Sequence, residues 1–154
     1  MEFVQGTLED IDELVKIRMA YFHEDFEEMT QEQINKILKT LPEYFREHLG
    51  KDFVAFIAKE DNKIIGTAML AMINRPANPK FNTGRTGEVL SVFTQVEYRR
   101  QGISRRLMNM VIEYGKEQQL DFIELKASKK GHPLYSQLGF VDEKCSCTPM
   151  KYLI

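Results

Sequence analysis

No apolar run in the chain approaches the roughly 18 residues that cross a bilayer as a helix. The opening Met1-Glu2-Phe3-Val4-Gln5-Gly6 also lacks the basic-then-apolar layout of a secretory signal. Both absences point to a cytoplasmic protein. An excess of charge is missing too: 21 Lys and Arg against 23 Asp and Glu leave a net charge of −2. So small a balance offers no sequence-independent attraction to nucleic acid or to an anionic membrane, and neither is expected as a partner. Cysteine is scarce. Cys145 and Cys147 stand one residue apart, and His132, the nearest histidine in sequence, is isolated. Two thiolates do not make a four-ligand zinc site, so no metal is expected and the pair reads as two small, reduced side chains. Repeats, low-complexity tracts and Gly/Ser linkers are absent, as are a Gly-Lys-Ser/Thr P-loop and a Gly-x-Gly-x-x-Gly turn. With 154 residues there is length for one sizeable core and not comfortably for two. One domain over residues 1–154 is the expectation.

What is present is the mixture of an ordinary globular domain, 43% hydrophobic and 29% charged. Glu2 to Gln5 reads as a short strand. Thr7 then opens a helix in which Ile11, Leu14, Val15, Met19 and Phe22 follow helical spacing. Thr30-Gln31-Glu32-Gln33 has the form of a capping box and precedes Ile34, Ile37, Leu38 and Leu41. Pro42 is expected to end that helix or to open a new one running to Leu49, since it cannot donate an interior hydrogen bond. Strands follow at Phe53–Ala58 and Lys63–Ile73, joined by the polar turn Glu60-Asp61-Asn62. A long loop from Asn74 to Gly87 carries Pro76, Pro79 and Gly84. Beyond it the pattern gives a strand at Glu88–Val96, a helix from Ser104 to about Gln119, a strand at Asp121–Ala127, a short helix at Pro133–Leu138, and final strands at Phe140–Lys144 and Met150–Ile154. The order predicts a mixed α/β domain with helices around a central sheet.

The chemistry concentrates where the Glu88–Val96 strand meets the helix that follows. Arg99-Arg100-Gln101-Gly102-Ile103-Ser104 forms a tight turn with one glycine, and the helix begins at once. Free N–H groups at a helix start point outward together, and the helix dipole favours negative charge there. Gly102 lets the backbone approach a ligand without a Cβ in the way. Each dipole contribution is worth only about 0.3–1 kcal/mol at an exposed site, so several converging N–H groups must supply the affinity of a pyrophosphate cradle. Alone, the six residues are a weak signal, since any strand–turn–helix needs a glycine somewhere, and they read first as a surface turn with two solvated arginines.

The wider run EVLSVFTQVEYRRQGIS, from Glu88 to Ser104, resembles the acetyl-CoA signature of the GNAT superfamily of N-acetyltransferases. Downstream, Leu125-Lys126-Ala127-Ser128 and the stretch from Gly131 through Tyr135 to Phe140 resemble the second motif of that family. The spacing between the blocks fits one helix and one strand, and the order of elements matches from Phe3 to Ile154. The resemblance implies a GNAT-like fold, an α+β domain with a central, mostly antiparallel sheet whose middle strands splay, flanked by about four helices. It implies acetyl-CoA as cosubstrate and transfer of its acetyl group to a primary amine, of a small molecule or a peptide. Two positions depart from the pattern: Ser104 stands where the family usually has Gly or Ala, and Ser128 lies where many members carry an asparagine.

Carried onto this chain, the pantetheine arm pairs with the backbone of Val92, Phe93 and Thr94, which otherwise read as an ordinary buried strand. The pyrophosphate falls to Arg99, Arg100, Gln101, Gly102, Ile103 and Ser104. Tyr135 matches the tyrosine that donates to the departing sulfur, and would otherwise be a half-buried aromatic packing its helix. Glu88 stands where several members keep a general base acting through water, with a solvated carboxylate as the alternative. The carboxylates of His23-Glu24-Asp25-Phe26-Glu27-Glu28-Met29 would attract a cationic amine, or simply form a solvated face. A non-catalytic acyl-CoA sensor or interaction module would keep the turn and lose turnover; Tyr135 argues against it. Pairing of sheet edges into a homodimer is common in the family.

Overall fold

The computed structural model describes all residues from Met1 to Ile154. Its spine is a five-stranded sheet in the order β1-β2-β3-β4-β5, formed by β1 (Glu2–Gln5), β2 (Phe53–Glu60), β3 (Lys63–Asn74), β4 (Arg85–Thr94) and β5 (Ile123–Glu124). The first three pairings are antiparallel and the last, β4 with β5, is parallel. Side chains alternate across each strand, so β2 to β4 feed two cores. On one face α1 (Ile11–Asp25) and α2 (Gln31–His48) close over Ile57, Met69 and Phe93. On the other, α3 (Ile103–Glu117) lies over Ala68, Leu70 and Val89, with Tyr135 of α4 (His132–Gln137) and Leu138 just after it packed at its margin. This is the mostly antiparallel sheet with four helices that the motifs imply.

The Thr30 capping box forms as read. Thr30 Oγ1 accepts from the Gln33 amide at 3.2 Å, and Gln33 Oε1 accepts from the Thr30 amide at 2.9 Å. Pro42 does not end the helix: α2 runs through it to His48. Leu38, whose carbonyl loses its partner, is on the exposed side where water can reach it. Leu41 and Phe45 hold the helix to the core on either side of the proline. Thr7 begins not α1 itself but a 3-10 turn, Leu8–Asp10, whose Asp10 carboxylate accepts from the Thr7 amide at 2.9 Å.

Three boundaries near the site move. Strand β4 begins at Arg85, so Thr86 and Gly87 belong to the sheet rather than the loop. Gly87 is needed there because a Cβ would stand 2.7 Å from Leu70 Cδ1 and 3.1 Å from Leu120 Cδ1. β5 is cut to two residues, and no strand forms after α4. β5 offers only a two-residue edge, and an extended segment without a partner leaves its backbone to water. Val141, Met150, Tyr152, Leu153 and Ile154 are accordingly exposed. No helix is long and apolar enough to cross a membrane.

Candidate active site

Two irregularities open a cleft in the sheet. β4 and β5 pair only through Gly87–Ile123 and Glu88–Glu124. Beyond that point the β4 edge from Val89 to Thr94 has no strand beside it, which is the splay the motifs imply. The β3–β4 register also shifts between Thr67 and Met69, and opposite that shift Ser91 takes a left-handed φ of 49°. A bulge at Ser91 bends the strand just before Val92, Phe93 and Thr94. Their side chains are core-like: Phe93 belongs to the α1/α2 core and Val92 packs toward α3. What they offer a ligand is backbone.

At the end of β4 the turn leads into α3. Gly102 caps the helix with φ +77°, and nothing lies within 4 Å of the position its Cβ would take. The protein itself therefore leaves that space vacant. The amide of Arg106 is the first to bond back, to the Gly102 carbonyl, and the backbone N–H groups from Arg100 to Arg105 donate to no protein acceptor. A cavity of ≈ 370 Å³ opens over them, lined by Arg99, Arg100, Gly102, Ile103 and Ser104 from the turn and by Leu134 and Gln137 from α4. Unsatisfied donors, a helix start and vacant space above a glycine fit a bound diphosphate.

The predicted contacts are not equivalent. Arg99 turns back on the fold: its Nε donates to the Thr94 carbonyl at 2.9 Å, its guanidinium sits 5.6 Å from the Phe93 ring centre, and it pairs with Glu24 of α1. Ser104 neither caps α3 nor stands free, because its hydroxyl shares a 2.9 Å hydrogen bond with that of buried Thr94 and so ties helix to strand. Gln101 is exposed and outside the cavity lining, and Arg100 holds a left-handed φ of 65°. Ser128 serves the turn before α4, its Oγ accepting from the Gly131 amide at 3.1 Å.

Tyr135 packs edge-on to Phe140, ring centres 6.0 Å apart, and its hydroxyl has no protein partner. Burial pushes its pKa up, so it stays a neutral donor through the physiological range. Its charge would be felt by Tyr21 of α1, whose phenol is held at about 12 chiefly by burial and by a 2.9 Å hydrogen bond to Asp25. Glu88 is half-buried on β4 and alternates with Val89 of the α3 core, so it faces the α1/α2 side. Its register neighbour on β5 is Glu124, which is 3.7 Å from Arg75.

Sequence reading passed over Arg18. It lies half-buried on the sheet-facing side of α1, bonded to the Ser91 hydroxyl at the bulge and 3.9 Å from Met69 Sδ. The signal was available: Ile11, Leu14, Arg18 and Tyr21 follow the three- and four-residue steps of a buried helical stripe, and an arginine there is out of place. The acidic run after α1 is less free than its composition suggests, since Glu24 is taken by Arg99 and Asp25 by Tyr21.

Comparison with known proteins agrees with this arrangement. The sequence matches the Acetyltransferase (GNAT) family over residues 11–140. Among solved structures, a predicted acetyltransferase from Clostridium acetobutylicum, crystallised with acetyl-CoA, is 30% identical, with 97% of this chain and 95% of that one aligned at a TM-score of 0.86. A GCN5-related N-acetyltransferase from Ralstonia eutropha JMP134 is 20% identical over 97% of each chain, with a TM-score of 0.81. An aminoglycoside acetyltransferase from an uncultured soil metagenomic sample is 17% identical over 99% of this chain and 96% of that one, at 0.68. The last two speak to the fold alone. No curated protein sequence matches the chain.

Proposed function

The chain belongs to the GNAT acetyltransferase family, and from that premise we propose that it transfers the acetyl group of acetyl-CoA to a primary amine of a small molecule or a peptide by direct attack. The observation that carries this reading is the run of unpartnered N–H groups from Arg100 to Arg105, set at the end of a strand edge that nothing pairs. The diphosphate rests on the first and the pantetheine amides bond to the backbone of Val92 to Thr94. Arg100 adds charge beside the diphosphate, while Arg99 holds the turn against α1.

Two proton movements accompany acyl transfer. An amine with a reference pKa near 10.4 is neutral in only about one molecule in 2,500 at pH 7, a cost of about 4.6 kcal/mol. Glu88, on the acceptor side of β4, receives that proton through water. The amine nitrogen then bonds to the thioester carbonyl carbon, the carbon–sulfur bond breaks, and the sulfur leaves with the electron pair. Tyr135 faces that sulfur. A phenol near 10 is a weaker acid than a thiol near 8.5, so complete transfer is uphill by about 2 kcal/mol before burial adds to it. Tyr135 therefore acts chiefly as a hydrogen-bond donor to the growing negative charge, and the proton lost by the amine settles the balance.

The test is release of free thiol from acetyl-CoA against a panel of amines. Tyr135→Phe should lower kcat about 100-fold with the KM for acetyl-CoA unchanged, and Glu88→Gln should lose the acidic limb of the pH–rate profile. Unchanged kcat in the first removes Tyr135 from the mechanism. Tight binding of acetyl-CoA with no thiol release for any amine would favour a non-catalytic acyl-CoA sensor.

A further inference from the structure

An arginine withdrawn from water normally meets a carboxylate, because an unpaired buried charge forfeits its hydration without return. Arg18 meets none. It makes no ion pair; its side chain hydrogen-bonds the Ser91 hydroxyl and the Met69 sulfur and lies over the face of Phe22, 4.8 Å from its guanidinium carbon. Burial pulls its pKa down, and the only titratable groups acting on it are the phenols of Tyr21 and Tyr44. Both hydrogen bonds leave from the same nitrogen, Nη1. Nε and Nη2, the edge that receives a carboxylate through two parallel hydrogen bonds, donate to nothing in the protein. Neither atom is among the sealed polar atoms of the interior, so that edge is not closed off from solvent.

Its position connects it to the chemistry. Ser91 is the bulge residue directly before Val92, and Glu88 lies three residues earlier on the same strand. A purely structural donor to Ser91 would need one N–H, which a glutamine or lysine supplies. The planar fork is surplus to that task. We propose that Arg18 binds a carboxylate of the acceptor, so that the amine substrate of this enzyme is an amino acid or another carboxylate-bearing amine. The assignment rests on the acetyl-transfer reading for its biological meaning. It also runs against one of the two readings of the acidic run at residues 23–29, attraction of a cationic amine, the other being a solvated face.

Matched pairs that differ only at the acid decide it: L-phenylalanine against L-phenylalaninamide, L-methionine against L-methioninamide, and 4-aminobutyrate against 4-aminobutyramide. O-phosphoethanolamine is added to separate phosphate from carboxylate. The α-amides are the weaker bases and have more neutral amine at pH 7.5, which biases those two comparisons against the proposal. Wild type should nonetheless favour the best acid over its amide by at least about tenfold in kcat/KM. In Arg18→Gln and Arg18→Lys the ratio should fall to about one, with the KM for acetyl-CoA unchanged. The ratio is internal to each protein, so a loss of folded enzyme cancels from it. Amides equal to or better than acids in wild type, a ratio that survives in Arg18→Gln, or a preference for O-phosphoethanolamine over every acid each overturns the proposal. If no amine is acetylated, the acetyl-transfer reading fails by itself, and calorimetry on CoA-loaded protein reads the site directly. Heat with an acid but not its amide, lost in Arg18→Gln, supports the carboxylate site; no heat with any acid refutes it.

Discussion

Two glycines with the same backbone conformation separate ligand binding from folding. Gly102 and Gly84 have φ of +77° and +76°. A Cβ on Gly84 would stand 2.1 Å from the Arg75 carbonyl oxygen, whereas one on Gly102 would meet nothing within 4 Å. Placing an alanine in the left-handed region costs about 1–2 kcal/mol at either site. At Gly102 that is the whole structural effect, a fall in Tm of roughly 2–8 °C for a chain of this size. At Gly84 the backbone clash adds about 1–3 kcal/mol or more, so Gly84→Ala should melt well below Gly102→Ala. Acetyl-CoA binding should rank them the other way. Hydrogen bonds to a charged group are worth about 1.5–3 kcal/mol each. A methyl group over the cradle that lifts the diphosphate from two N–H groups therefore weakens binding by at least about 100-fold. Calorimetric titration of acetyl-CoA and thermal melts on both variants provide the measurements. A Gly102→Ala protein that binds acetyl-CoA within about threefold of wild type would refute the cradle, whatever its Tm.

Asp10 gives stability a dependence on pH. Burial opposes its ionisation, but Lys59 and the Thr7 amide and hydroxyl outweigh it and bring the carboxyl below its usual value. A group depressed in the folded state contributes stability that is present above the unfolded pKa, about 3.9, and is lost as pH falls through the folded one. Urea titrations of wild type should therefore lose stability below about pH 4, and Asp10→Asn should lower stability at pH 7 while flattening that acid limb; an unchanged limb would release Asp10 from this role. Thr67 Oγ1 is the one sealed side-chain polar atom without a partner. Thr67→Val removes an unsatisfied hydroxyl at nearly constant shape, so it should stabilise by about 1 kcal/mol, and a clear loss of stability in urea would show that the hydroxyl is satisfied in solution.

What was legible in the sequence was local. The Thr30–Gln33 box and the Gly102 turn depend on residues a few positions apart, and both form as read, while the apolar stripe of α1 forms in part: Ile11, Leu14 and Met19 are buried, Val15 and Phe22 only half-buried, and Ile17 joins them. The course of α2 through Pro42 was not legible, because what sustains it is Leu41 and Phe45 buried on either side. Gly87 looked like loop punctuation. It is a strand residue kept small by Leu70 and Leu120, one from β3 and one from beyond α3. The bulge at Ser91 has no signature in its own residue type; it follows from the register mismatch with Thr67 and Met69 on β3. Arg18 was missed for a different reason. A search for apolar periodicity passes over the one charged residue that keeps the period.

The same contrast divides the site itself. The proposed cosubstrate half is main chain: the open edge of β4 and the amides of the α3 start ask little of the side chains except that residue 102 have none. Charge counted along the sequence says little about such a surface, as Arg99 illustrates by folding back onto Glu24 and the Thr94 carbonyl. The proposed acceptor half would use side chains of α1 and β4, with Arg18, Tyr21 and Glu88 on the same face of the sheet. Charge does decide there, but only the charge left after internal pairing. Glu24 and Asp25 are spent within the fold, while the guanidinium edge of Arg18 is not. On the proposed reading, a half-buried unpaired cation at the bulge outweighs an acidic run at the rim in selecting what enters, since the exposed rim is the more strongly screened.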